Sequence, residues 1–356
     1  MGINYKAWKI SADDYFREIT TRGRLEFLIG FAVLAPSSHN AQPWKFKIGG
    51  NSIEVLPDLA RAVPIADPKG KYIYTGLGCV IENIVIAADY FKLKPHVTYE
   101  PYGDKKIAAR IDFSFSDEQD IAAVTGGDSH LIHEISNRCS NRNKYDPSKN
   151  IPTEFIKELI SYSGKGVIVT VSTDSKKKNT LADIVVGSRT KLFDDTAFRH
   201  ELSSYKKNNL TRSFVGITGN TMGFNTPKSF VAPFAIKYMN VLRLIEKSEK
   251  ELFSTYSPIH LVISIKKETK QSWMKAGRIF QKICLRASQE GIASAVSILP
   301  HTTDIKSIKK MFHLSYNPYI FVRMGYAQKV PPHAPRFRAK DVICNVEREP
   351  SMGELS

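Results

Sequence analysis

Apolar residues repeat along this chain at two periods, and the periods mark out its elements. Leu25, Leu28, Ile29, Ala32 and Val33 recur at helical spacing and predict a helix over 22–34, ended by Pro36 and Ser37. Leu77, Val80, Ile81, Ile84, Val85, Ala88 and Phe91 predict a second helix over 76–91, whose Gly76 and Gly78 would allow close approach. The clearest amphipathic stripe is Trp273, Ala276, Ile279, Phe280, Ile283, Cys284 and Ala287, which predicts a helix over 273–290 with Gly291 as its stop. Shorter helical patterns cover 130–139, 178–193 and 197–207, and Leu242, Ile245, Glu249 and Leu252 share one face of another. Ile107, Ala109, Ile111, Phe113 and Phe115 alternate with other residues, as in a strand with one buried face. Segments 51–56, 167–171, 260–265 and 318–326 also read as strands. Residues 209–235, rich in Gly, Asn, Thr and Pro, read as a long loop or lid.

The strands are too widely spaced for a Rossmann alternation, and neither G-x-G-x-x-G nor a Walker A lysine occurs. The expected class is α+β, with mixed or antiparallel sheets flanked by helices. Gly126-Gly127-Asp128 is the best candidate hinge, separating 1–126 from 127–350. The first ten residues lack the apolar core of a signal peptide, and no run of about 18 apolar residues predicts a membrane span. Four cysteines with no C-x-x-C pair suit a reducing, cytoplasmic setting. The net charge of +16 attracts anions without choosing among them. Much of it sits in runs such as Lys176-Lys177-Lys178 and Lys206-Lys207, which read as solvated surface. Without a helix-turn-helix, a zinc finger or interleaved aromatic and basic residues, a nucleic-acid partner is not expected. Neither is a membrane partner.

The candidate chemistry lies in three loops. Ala35–Trp44 (APSSHNAQPW) follows a helix, and its Ser37, Ser38, Asn40 and Gln42 offer hydroxyls and amides suited to ribityl hydroxyls or phosphate oxygens. A helix stop with a turn would use the same composition. Arg138-Cys-Ser-Asn-Arg142, followed by Tyr145, brings two guanidinium groups close in sequence. If the preceding helix persisted, they would lie one turn apart and could converge on one phosphate, with Ser140 adding a hydroxyl. Arg323-Met-Gly-Tyr326 closes a strand before the tail PPHAPRFR, in which Arg336 and Arg338 would share a face if the segment is extended.

These three strings together resemble the FMN-binding elements of the nitroreductase superfamily. Ordinary members carry the Arg-rich loop before the Ser/Asn loop, and FMN sits at their homodimer interface. Here the Ser/Asn loop comes first by about a hundred residues. That order resembles the Acg-like subgroup, in which two nitroreductase-like halves are fused in one chain. Trp273 to Gly277 and Pro331 to Arg338 match further features of that subgroup. The resemblance implies an FMN site formed within a single chain, with a further homodimer compatible with it.

It also implies roles for particular residues. The FMN phosphate would be gripped by Arg138, Ser140, Arg142, Arg336 and Arg338, and the flavin would lie against Ser37, Ser38, His39, Asn40 and Gln42. Arg22 and Arg24 would frame the opening or meet the flavin carbonyls, although Glu26 offers Arg22 an ordinary partner. The stretch 293–300, with Ser297, corresponds to the loop beside the isoalloxazine. Lys144 reads equally well as surface. His130 and His133 lack a third ligand, so no metal is expected. The implied activity is NAD(P)H-dependent reduction of nitroaromatic, quinone or related small-molecule acceptors, with chemistry centred on the flavin. The alternative is FMN storage under a lid with little turnover.

Overall fold

A computed structural model of the chain describes residues 2–103, 106–115 and 127–344. Gly126 of the expected hinge, and 345–350 of the second expected half, lie outside the described residues. The helices are α1 (Thr21–Ala32), α2 (Lys71–Tyr90), α3 (Ile132–Asn137), α4 (Thr153–Ser161), α5 (Ser175–Asp194), α6 (Thr196–Ser204), α7 (Thr226–Tyr238), α8 (Val241–Ser254), α9 (Lys270–Gln289) and α10 (Ile305–Phe312). The strands are β1 (Trp44–Gly49), β2 (Ser52–Pro57), β3 (Leu93–Tyr99), β4 (Ala109–Phe115), β5 (Val167–Ser172), β6 (Lys206–Lys207), β7 (Ile217–Thr218), β8 (Ile259–Ile265), β9 (Ala293–Ile298) and β10 (Asn317–Gly325). The class is α+β: both four-stranded sheets are antiparallel throughout.

The two sheets repeat one connectivity. The first runs β1-β2-β4-β3 and the second β5-β8-β10-β9. In each, a 20-residue helix joins the second strand to the third: α2 in the first sheet, α9 in the other. These helices pack against one another, each through a glycine. A Cβ on Gly78 would lie 2.1 Å from the Met274 carbonyl oxygen, and one on Gly277 would lie 2.1 Å from that of Thr75. No larger residue fits either position without separating the helices.

The units differ in what fills one connection. β1 turns into β2 at Gly50 and Asn51, whereas β5 and β8 are separated by the segment 173–258, which holds α5 to α8 and the short parallel pair β6–β7. That difference shows in burial. Along β1, Trp44, Phe46 and Ile48 are buried while Lys45 and Lys47 face out. β8 is buried at every position, because α9 covers one face and α5 and α8 the other. The chain then returns from β10 to the first sheet: Phe46 N donates to Val342 O (2.9 Å) and Cys344 N to Phe46 O (2.8 Å).

Several elements differ from the sequence expectation. α2 begins five residues earlier than Gly76, because the Asp67 carboxylate accepts from the backbone N–H groups of Tyr72 (2.6 Å) and Ile73 (3.4 Å) and so satisfies the first turn. The expected lid is not all loop: Asn225 caps α7 through the Lys228 N–H, and Pro227 suits its first turn. The stretch 293–300, expected as a loop, is mostly strand β9. The helix before Arg138 stops at Asn137, so Arg138 and Arg142 are not one helical turn apart. α2 is long and apolar enough to cross a membrane, and it lies buried between α1, α9 and the first sheet.

Candidate functional site: a cation-lined cavity where the two units meet

The Ser/Asn loop is held in an unusual backbone shape. His39, Asn40 and Gln42 have φ of 55°, 54° and 53°, a left-handed region that side chains other than glycine rarely adopt. Side-chain bonds hold it there. Asn40 Nδ2 donates to Gly216 O (3.0 Å) and Pro335 O (2.9 Å), and Gln42 Nε2 donates to Phe214 O (2.6 Å). Gln42 Oε1 accepts from Phe337 N (3.0 Å), and Ser37 Oγ accepts from Gln42 N (2.9 Å). The loop is thereby tied to the segment between β5 and β8 and to the C-terminal extension.

The Arg-rich loop runs extended beside β9. Asn141 N donates to Ser294 O (2.9 Å), Asn141 Nδ2 to Lys329 O (2.7 Å) and Tyr145 Oη to Asn141 O (2.6 Å). These bonds turn Arg138, Ser140 and Arg142 into a cavity of about 370 Å³ between the two units, within the size range of small-molecule sites. Its walls also carry Ser37, Ser38, His39, Asn40, Ser297 and Arg336. The four other expected residues lie elsewhere. Arg22 pairs with Glu26 at 2.9 Å on the surface. Arg24 donates to Glu18 O (3.1 Å). Gln42 is a buried strut, and Arg338, itself extended, bonds Asp341 (2.7 Å), because the turn that begins at Ala339 brings that carboxylate to its guanidinium. Lys144 sits over the Tyr256 ring, away from the cavity wall.

Three more cations enter the cavity beyond the residues expected to bind there: Arg189 from α5, Lys206 from β6 and, from the string that closes β10, Arg323. Lys206 is not the surface lysine its pairing with Lys207 suggested. With Arg138, Arg142 and Arg336, six cations face one carboxylate, Glu249, which Arg189 already engages at 3.0 Å. Arg323 donates to Asn143 O (3.0 Å) and lies over the Tyr145 ring. Arg336 donates to Asn40 Oδ1, and its Nε has no partner; the Arg138 Nε has none either. Lys206 Nζ has only the thioether of Met222, a weak acceptor, at 3.1 Å. Arg142 and Lys206 keep accessible surface, and that surface lines the cavity.

Burial and mutual repulsion depress these cations. Lys206 is lowered to about 7, by burial and then by Arg142 and Arg189. Arg336 is lowered to about 9, by burial and then by Arg138. Arg142 and Arg323 are also lowered, chiefly by burial. His39 falls to about 3 and His333 to about 4 for the same reason, so both are neutral near pH 7. The Ser38 hydroxyl lies 2.8 Å from His39 Nδ1, and Nε2 is left without a partner. Apolar walls complete the site: Leu192, Phe193, Phe198 and Leu202 on one side, Phe280, Val296 and Ile298 on another. Among the described residues no group of three or more His, Cys, Asp or Glu is placed to hold a metal ion.

No family model matches the chain. It is 22% identical over 340 residues to the uncharacterized protein Rv3127 of Mycobacterium tuberculosis, an alignment covering 90% of this chain and 93% of that protein. Among solved structures it is similar to the FMN-dependent nitroreductase NfnB from Mycobacterium smegmatis, solved in complex with NADPH. That match has 15% identity and a TM-score of 0.38, over 58% of this chain and 95% of the other. The FMN and NADPH-dependent nitroreductase NfnB from sphigopyxis sp. strain HMH matches at 13% identity and a TM-score of 0.41, over 61% and 98%.

Proposed function

We propose that this chain is an FMN-binding oxidoreductase of the nitroreductase superfamily, of the kind in which two like halves share one polypeptide and form the flavin site between them. The observation that carries the reading is the cavity itself: buried cations without carboxylate partners, at the junction of two units with the same strand order. Such charges are costly unless an anion offsets them. FMN brings a dianionic phosphate, a hydroxylated chain and a flat apolar ring, and the cavity offers a complement to each. Arg138 and Arg336 would hold the phosphate. Ser37, Ser38, Asn40 and Ser140 would meet the ribityl hydroxyls, and the aromatic and aliphatic walls would take the ring.

FMN supplies two-electron transfer, from NAD(P)H to a nitroaromatic, quinone or related acceptor. The protein's part is to bind, orient and keep water from the ring. His39, neutral at pH 7, lines the cavity and adds no charge to it. Because both units contribute to one cavity, a single chain would suffice for binding, and any homodimer would form through another surface.

A second reading, FMN storage with little turnover, is favoured by the segment between β5 and β8. Its Phe198, Leu202, Lys206, Ile217 and Thr221 roof the cavity. Anaerobic stopped-flow mixing of the FMN-loaded protein with NADH or NADPH separates the two. Bleaching of the flavin band, then reoxidation by a quinone or nitroaromatic, is the result expected of a reductase. Tight FMN binding without bleaching supports storage, and no FMN binding overturns both.

A further inference from the structure

The cavity holds more positive charge than one phosphate can use, and the charges fall into two sets. Arg138 acts on Arg336 and on His333, beside Asn40 and Trp8. Arg142, Arg189, Lys206 and Arg323 act on one another, beside His39 and Glu249. In the second set only Arg189 is ion-paired, to Glu249, whose single charge also reaches Arg142 and Arg323. Lys206 has a thioether and Arg323 a carbonyl, and Arg142 makes no hydrogen bond or ion pair among the described residues. Arg189 and Lys206 both come from the segment inserted between β5 and β8, the part for which the first unit has only a turn.

We infer that the end of the cavity formed by Arg142, Arg189, Lys206 and Arg323 is a second anion subsite, taking the carboxylate or phosphate group of a small co-substrate while FMN is bound. The inference rests on the flavin reading, with the FMN phosphate at Arg138 and Arg336. Like charges gathered in an enclosed space repel strongly, and a bound oxyanion converts that repulsion into attraction. Two guanidinium groups free of strong partners and one ammonium suit a planar or tetrahedral oxyanion, which each arginine can meet through two parallel N–H groups. An uncharged acceptor would leave Arg142 and Lys206 without a matching charge. The subsite therefore selects acidic over neutral molecules of the same size.

The test is calorimetric titration of the FMN-loaded protein with benzoate, phenyl phosphate and the neutral control benzyl alcohol, while the flavin absorbance is watched for displacement. At least one of the two anions should bind with FMN retained, and benzyl alcohol should not; whichever anion binds tighter identifies the group. Lys206→Met should weaken anion binding by about tenfold or more, the size expected for one lost charge-assisted hydrogen bond. Lys206→Arg should restore it, which separates charge from folding, and Lys207→Met should leave it intact, because the Lys207 Nζ donates to Ser204 O outside the cavity. The inference is overturned if neither anion binds the FMN-loaded protein. It is equally overturned if FMN displaces the anions and Lys206→Met abolishes the preference for FMN over riboflavin, since that end would then hold the flavin phosphate. If the protein takes no flavin, the titration is run without it. Anion binding that depends on Lys206 and not on Lys207 then sustains the subsite while the flavin reading falls, and no anion binding overturns the subsite as well.

Discussion

Two places among the described residues draw positive charge out of water, and they treat it in opposite ways. At the contact between α2 and α9, the buried Glu82 carboxylate accepts from Arg278 at 2.6 Å and lies 3.3 Å from Lys282. Burial alone would lower Arg278, but Glu82 and Tyr99 outweigh it and hold the guanidinium above its ordinary range. In the cavity nearby, Arg336 and Lys206 have no acid, and burial pulls both down. Charge that serves the fold arrives with its partner; charge without one fits a partner that binds. Uncharged groups do not follow that division: Asn83 and Gln281 bond each other across the helices at 2.7 Å, but Gln281 Oε1 is left without a partner, as is one ring nitrogen each of His39 and His333 beside the cavity.

The largest expected effect breaks the comparison on the cavity side. Replacing Arg138 and Arg336 together by alanine should weaken FMN binding by about a thousandfold, at roughly 2 kcal/mol for each charged hydrogen bond lost. Flavin fluorescence titration measures it, with circular dichroism confirming the fold. On the paired side, Glu82→Gln removes the buried carboxylate that Arg278 and Lys282 share and should cost about 2 kcal/mol of stability in urea unfolding. Gly277→Ala places a methyl group where the Thr75 carbonyl stands. It should cost about 2 kcal/mol from overpacking, even after the gain in helix propensity.

The smallest effect sharpens the comparison through pH. Lys206 falls from its ordinary 10.5 to about 7 in the folded protein. Between those values the unfolded chain holds a proton that the folded one does not, so this residue makes the ligand-free protein more stable as pH rises from about 7 toward 10. Thermal melts across that range should show the rise, and Lys206→Met should flatten it.

Much of this was legible in the sequence where the signal was local. The stripe predicts α9 over 273–290 and the helix occupies 270–289, because apolar residues recur on one face for about four turns. Ser37 to Asn40, Arg138, Ser140, Arg142, Ser297 and Arg336 were marked from short strings, and all line the cavity. β1 was missed although Trp44, Phe46 and Ile48 alternate with Lys45 and Lys47; six residues beside a proline-rich loop give a weak period. Arg189 and Lys206 carry no such signal, and Arg323, although it heads one of the three strings, shows no sign there of facing a cavity. They lie on three separate elements, and only the tertiary fold of the inserted segment brings them to one point. Arg338 departs from the expectation because the turn over Ala339–Asp341 supplies it with a local carboxylate. Arg22 and Arg24 were read as site residues although each finds an ordinary local partner.

The central claim is that the unpaired cations fit a phosphate-bearing flavin. Equilibrium titration of the purified protein with FMN and with riboflavin, which differ only in that phosphate, tests it most directly. The account predicts one FMN per chain and a preference over riboflavin of about a hundredfold or more, the return on at least two charge-assisted hydrogen bonds. Equal affinity for the two flavins, or no binding of either, would contradict it.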